Sequence, residues 1–107
     1  MFKPRSDSKP VEMFPGVVRR TLASGDRATV VEVTVAKGTA VPVHQHDHEQ
    51  VGYVARGRLL FEIGGETREL VEGDSYLALS NVPHGVTALE DSIAIDIFSP
   101  PRTEYLD

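Results

Sequence analysis

Three of the four histidines in this 107-residue chain, His44, His46 and His48, fall within five residues, and Gln50 extends the same every-second-residue spacing. Side chains alternate across a strand, so in an extended segment these four would share a face. Imidazoles two residues apart stand roughly 6–7 Å apart at the backbone. That is close enough to converge on one ion, since zinc and its neighbours bind imidazole nitrogen at about 2.0–2.1 Å. The same spacing also suits a proton-handling cluster, or a solvated edge strand where His and Asp are ordinary. Four polar residues in a row would leave one strand face without apolar packing, so Asp47-His48-Glu49 is expected to turn the chain. The fourth histidine, His84, lies forty residues beyond His44 and directly follows Pro83, whose ring restricts the local backbone.

A second constellation closes the chain. Residues 92–98, Ser-Ile-Ala-Ile-Asp-Ile-Phe, alternate Ile93, Ile95 and Ile97 against Ala94, Asp96 and Phe98. If the isoleucines pack in the apolar core, the other face lines a cavity that tolerates a charge. A buried carboxylate beside a ligand pocket has a raised pKa and can exchange protons. Alternatively Asp96 faces solvent, or pairs with Arg19 or Arg56. Arg102 follows the stiff Ser-Pro-Pro segment and can reach back over a barrel mouth, where its planar fork suits a carboxylate; in a solvated tail it would have no such role.

The elements that must position these groups are short β-rich runs. Residues 28–36 alternate with period two, a strand with one buried face. Strands are also expected over 17–23, after Gln50, on either side of Gly64-Gly65 as a hairpin, before a loop at Asn81 to Pro83, and over 92–98. No helical period is sustained. Short, evenly spaced strands in one small domain predict an all-β antiparallel barrel or sandwich. Residues 1–15 read as a tail or edge-docking segment and residues 99–107 as a proline-stiffened tail.

Composition narrows the classes. A chain of this size buries roughly 65% of its unfolded surface and sustains one core. The net charge of -5 argues against a nucleic-acid partner. There is no cysteine, so any metal must sit on imidazole, carboxylate or amide groups. No apolar stretch approaches a signal-peptide core or the roughly 20 residues of a membrane helix, so a soluble, cytoplasmic protein is expected. The Val/Ile strand faces exceed what one barrel interior needs, which points to a homodimer.

The stretch from Gly38 to Gly57 resembles the first cupin motif: Gly, five residues, His-x-His, three residues, an acid, six residues, Gly. Its single departure is Gln50 in place of the usual Glu. The stretch 73–88 resembles the second cupin motif in the spacing of Gly73 and His84. It departs at Leu79, Asn81 and Ala88, where the motif has Pro, Gly and Asn. This resemblance implies a single-domain cupin antiparallel β-barrel of the double-stranded β-helix or jelly-roll type. It also implies one divalent transition metal per chain, Ni, Zn, Fe or Mn, on His44, His46, Gln50 and His84. His48 and Glu49 fall in the variable insert, beside the metal rather than on it, with His48 a candidate substrate contact. An amide in place of a carboxylate leaves the full +2 charge on the ion, which favours Lewis-acid chemistry over the oxygen-activating pattern of two histidines and a carboxylate.

The order of His-x-His-x-His-Glu-Gln, Asn-Val-Pro-His-Gly and Asp-x-Phe-Ser-Pro-Pro-Arg-x-x-Tyr-Leu, the last ending on Tyr105 and Leu106, further resembles the pectin-degradation cupins of the KdgF type. That likeness implies ring opening of 4,5-unsaturated uronates, small anionic sugar acids left by pectate and alginate lyases, to linear 4-deoxy-5-keto uronates. It places Asp96, Phe98 and Arg102 in the substrate pocket, Asp96 and Arg102 as catalytic groups. Two other classes remain open: a cupin non-haem iron dioxygenase acting on a small molecule, and a non-catalytic, metal-stabilised sugar-binding module.

Overall fold

The computed structural model describes residues 1–106; Asp107, at the end of the expected tail, lies outside the described residues. Alternation and turn chemistry divide the chain into ten strands among them: β1 (Val11–Phe14), β2 (Val17–Ser24), β3 (Thr29–Val35), β4 (Ala40–His44), β5 (Glu49–Arg56), β6 (Arg58–Ile63), β7 (Glu66–Val71), β8 (Ser75–Ala78), β9 (His84–Ala88) and β10 (Ser92–Ser99). All pairings are antiparallel and build two sheets, one ordered β1-β2-β3-β10-β5-β8 and the other β4-β9-β6-β7. This is the all-β jelly-roll barrel expected from the sequence. The β6–β7 hairpin turns on Gly64 and Gly65, both at positive φ (57° and 82°), the backbone that a two-residue hairpin loop requires.

The core sits between the sheets. Val17, Val35, Val54 and Leu59 are essentially inaccessible and pack with Phe61, Tyr76, Ala88 and Ala94. The chain crosses from one sheet to the other between β4 and β5, through residues 45–48, so the histidine run turns as the polar-face argument required. A second crossing, through residues 79–83, brings β9 beside β4 and pairs His84 with His44.

The N-terminal segment docks rather than hangs free. A 3-10 turn at Arg5–Asp7 leads into β1, which pairs with β2 and forms one edge of the six-stranded sheet. The Arg5 guanidinium bonds both carboxylate oxygens of Glu32 at 2.8–3.2 Å. That explains why Glu32, on the outer face of β3, is nevertheless buried, and Arg5 holds its carboxyl below the usual range.

One expectation is reversed. Ile93, Ile95 and Ile97 do not enter the core; Ser92, Ala94, Asp96 and Phe98 face inward and are buried, while Ile97 is 39% exposed. The interior at this level is a cavity rather than packed apolar side chains, so the polar and aromatic residues take the inner face and the isoleucines the outer. Among the described residues no helix is long and apolar enough to cross a membrane.

Gly57, which ends the first motif, illustrates how the spacing is enforced. Its φ is +90°, and a Cβ there would lie 2.3 Å from Ser92 Oγ and 2.5 Å from Asp91 O. Ser92 Oγ in turn accepts the Arg58 N–H at 3.0 Å. Gly57→Ala should therefore combine left-handed strain of about 1–2 kcal/mol with displacement of backbone. Thermal unfolding should show a loss of at least about 5–10 °C for a domain of this size.

Candidate metal centre

His44, the last residue of β4, and His84, the first of β9, are cross-strand partners with ring centroids 4.5 Å apart. His46, in the crossing segment, brings its ring to 5.4 Å from His44 and 4.8 Å from His84. One ring nitrogen of each of the three lies within 4.8 Å of the others. Backbone carbonyls settle which nitrogen that is. Nδ1 of His44 donates to Pro42 O (2.8 Å), Nδ1 of His46 to His48 O (2.9 Å) and Nδ1 of His84 to Val82 O (2.8 Å). A carbonyl only accepts, so each Nδ1 carries the hydrogen and each Nε2 presents its lone pair.

Nε2 of His46 and Nε2 of His84 are buried without a hydrogen-bond partner among the described residues. Buried polar atoms are normally satisfied, and two orphaned lone pairs turned toward a third imidazole fit a divalent cation. A nitrogen and oxygen donor set suits nickel, zinc, iron or manganese. Burial, aided by nearby Arg102, pushes His46 down to about 4; burial also holds His84 below the usual imidazole range. Both rings thus stay neutral, the form that binds metal.

Two of the triad, His44 and His84, line a cavity of about 390 Å³ between the sheets. Val33, Leu59, Phe61, Val86 and the N-terminal Met13 and Phe14 form much of its wall, while His44, Gln50, His84, Asp96 and Arg102 supply polar groups. Gln50, on β5, is buried and stands beside Phe98 in the strand register. Asp96 is buried in the middle of β10. Its carboxylate accepts from the Tyr76 hydroxyl and from the Gln50 side chain. Burial raises its pKa, against the lowering influence of these two donors and of Arg102 and His44. The cavity-facing placement is thus the one the structure selects for Asp96.

The C-terminal tail folds over the cavity. Arg102 lies with its guanidinium carbon 5.2 Å from the Phe98 ring centroid and 4.4 Å from that of Tyr105, and its Nε donates to Glu104 at 2.6 Å. The tail is tied to β2, where Arg19 and Thr21 both donate to Tyr105 O. His48 is not one of the three converging imidazoles: its ring lies 5.6 Å from His46 and 6.5 Å from Phe98. One functional residue escaped the sequence reading, and another entered it only as part of the tail pattern, with no role. Tyr76 was visible only through its parity with Ala78 on a short strand, and Tyr105 as an aromatic in a tail.

Residues 31–98 match the cupin domain family model. The pectin degradation protein KdgF of Dickeya dadantii (strain 3937) is 42% identical over 97 residues, covering 89% of this chain and 88% of that protein. Among solved structures, KdgF from Halomonas sp. superposes with a TM-score of 0.93 at 36% identity, over 99% of this chain and 98% of that one. An RmlC-like cupin from Shewanella frigidimarina NCIMB 400 reaches the same TM-score at 30% identity, over 98% and 95% of the two chains.

The depressed imidazoles carry a pH signature. A histidine held neutral in the fold but protonated at its ordinary value of 6.5 when unfolded favours the folded state fully above pH 6.5. That contribution is lost as pH falls toward about 4, the folded-state value of His46. Metal-free protein should therefore lose thermal stability between pH 6.5 and 4, and His46→Gln should flatten the decline, as differential scanning calorimetry across that range would show.

Proposed function

The chain belongs to the cupin domain family, and on that premise we propose that it is a metal-dependent sugar-acid enzyme of pectin degradation. Its proposed reaction opens the ring of 4,5-unsaturated uronate monosaccharides to linear 4-deoxy-5-keto uronates. The observation that carries this reading is the convergence of three imidazole lone pairs on a cavity whose other wall holds a buried carboxylate and an arginine. The likeness to two KdgF proteins supports the substrate class.

His44, His46, His84 and Gln50 would hold one divalent ion, which when bound supplies Lewis-acid polarisation of a substrate oxygen. The remaining work falls to the chain. Arg102, held against the Phe98 and Tyr105 rings, binds the substrate carboxylate, and Phe98 packs against the sugar ring. Ring opening is an isomerisation: the bond from the ring oxygen to the anomeric carbon breaks, the anomeric hydroxyl loses a proton, carbon 4 gains one, and the enol becomes the 5-ketone. Asp96 accepts the first proton on its carboxylate and returns one to carbon 4. Burial raises its pKa above the usual carboxylate range, the direction that suits a group which must both take and give a proton. His48 is left a lesser part, a contact at the rim.

Loss of the substrate's double-bond ultraviolet absorbance measures the reaction directly. Metallated wild-type protein should accelerate it. Asp96→Asn should lower kcat by about 10²–10⁴-fold. Arg102→Ala should act chiefly on KM, by about 10- to 100-fold, the worth of hydrogen bonds to a charged group. Fully metallated protein without acceleration overturns the reaction; tight uronate binding without turnover would make it a binding module, and oxygen consumption a dioxygenase.

We further propose that the chain works as a homodimer through the outer face of the six-stranded sheet. Val30, Ile97, Val51 and Leu77 lie in one row across β3, β10, β5 and β8, with Ile95 and Tyr53 in the next. Ile97, Val51, Leu77 and Tyr53 are 39–47% exposed, and contiguous apolar area of this kind marks association surfaces. Wild-type protein should sediment as a dimer and Val51→Lys/Leu77→Lys as a folded monomer; a monomeric wild type rejects this interface.

A further inference from the structure

Glycine in a central strand loses packing and backbone order, and its presence there marks a close approach. Gly52 lies mid-β5, between Asp96 on β10 and Tyr76 on β8 in the register of the six-stranded sheet. Its φ is not in the left-handed region, so backbone conformation does not call for glycine. Space does. A Cβ at position 52 would sit 2.5 Å from Tyr76 Oη and 2.6 Å from Asp96 Oδ1. The hydrogen bond from Tyr76 to Asp96 therefore passes directly over Gly52, spanning two strand spacings across a strand that offers no side chain.

Gln50, two residues before Gly52 on the same inward face of β5, lies diagonally across from Asp96, and both are buried and line the same cavity; there its side chain acts on Asp96 as a second donor. A primary amide donates only through nitrogen, so the NH₂ group of Gln50 faces Asp96 and its carbonyl oxygen is turned away from that carboxylate. Tyr76 is a durable donor, because burial and the Asp96 charge raise its pKa well above the usual phenol range. Its ring is fixed by contact with Phe61, centroids 4.1 Å apart. The chain Tyr76–Asp96–Gln50 thus has one consistent donor direction and ends on an amide oxygen. A glutamate at position 50 would have no hydrogen to give Asp96, which accounts for the departure from the usual motif.

We propose that Tyr76 is a positioning residue which, by fixing Asp96, turns the Gln50 oxygen toward the metal held by His44, His46 and His84. Gly52 is the gap that lets it reach. This rests on the metal centre proposed above, though not on the uronate reaction.

Nickel(II) affinity, measured by competition with a chromogenic chelator, tests it without substrate. Groups that orient metal ligands typically contribute 10- to 100-fold to affinity. Tyr76→Phe keeps the ring against Phe61 and removes one hydroxyl; it should weaken nickel binding about tenfold. Asp96→Ala should do the same. In a Gln50→Ala background both substitutions should have no further effect, because the residue through which they act is gone. Wild-type affinity in Tyr76→Phe overturns the proposal, as does a loss that adds in full to that of Gln50→Ala, the mark of a merely structural tyrosine. Wild-type protein that takes up none of nickel, zinc, iron or manganese overturns the metal centre and this proposal together. Protein that binds nickel but leaves uronates untouched overturns only the reaction. Gly52→Ala is the less clean variant, since its methyl would also meet Ile95 O at 2.6 Å.

Discussion

Everything in this barrel's interior answers to one demand: three imidazole lone pairs must face one another, those of His46 and His84 buried away from water. Such an arrangement is unfavourable by itself, because buried acceptors without donors forfeit their hydration. It persists because each ring is anchored from behind, its Nδ1–H bound to a carbonyl two residues away. The anchors are local and cost no long-range contact, so each histidine carries its own orientation. What the fold adds is convergence, by ending β4 and starting β9 side by side at one end of the four-stranded sheet.

The two sheets divide the chemistry. His44 and His84 come from the four-stranded sheet, with His46 from the segment that leaves it. Gln50, Asp96, Phe98 and Tyr76 come from the six-stranded sheet. Neither sheet alone contains a site. The cavity between them exists because the inner face of β10 carries Ala94 and Asp96 where a packed core would need large apolar residues. Reversal of the Ile face follows from that same choice: in a hollow barrel the apolar strand face can lie outside, where a second copy of the chain is proposed to cover it.

Much of this was legible in the sequence, and for physical reasons. Period-two alternation marked the strands, and the Gly-Gly pair required a positive-φ hairpin. The spacing of His44, His46 and His84 reflected strand register and a crossing segment of set length. What stayed illegible were relations between strands far apart in sequence. The Ile93-Ile95-Ile97 stripe reads as core to any argument from hydrophobicity, because alternation reveals two faces without saying which one looks inward. Tyr76 sits on a four-residue strand with no unusual neighbours, and its meaning comes only from lying across Gly52 from Asp96. Gly52 itself looked like one more glycine. Arg102 could be placed over the mouth only as a geometric opportunity, since the tie from Tyr105 O to Thr21 joins residues 84 apart.

That tie bears on how tightly an anion could be held. An arginine free in solvent surrenders considerable rotational freedom when a ligand immobilises it, at a cost of about 0.5–1.5 kcal/mol for a flexible side chain. Arg102 has already surrendered most of that freedom. It lies against two aromatic rings, with its Nε engaged by Glu104 and only 15% of its side chain exposed. The entropy of ordering is thus charged to folding and distributed over the strand pairing of β2 and the docking of the tail. A substitution at Thr21, outside the cavity wall, would return that disorder to the binding step and weaken anion capture without touching a single group that meets the ligand.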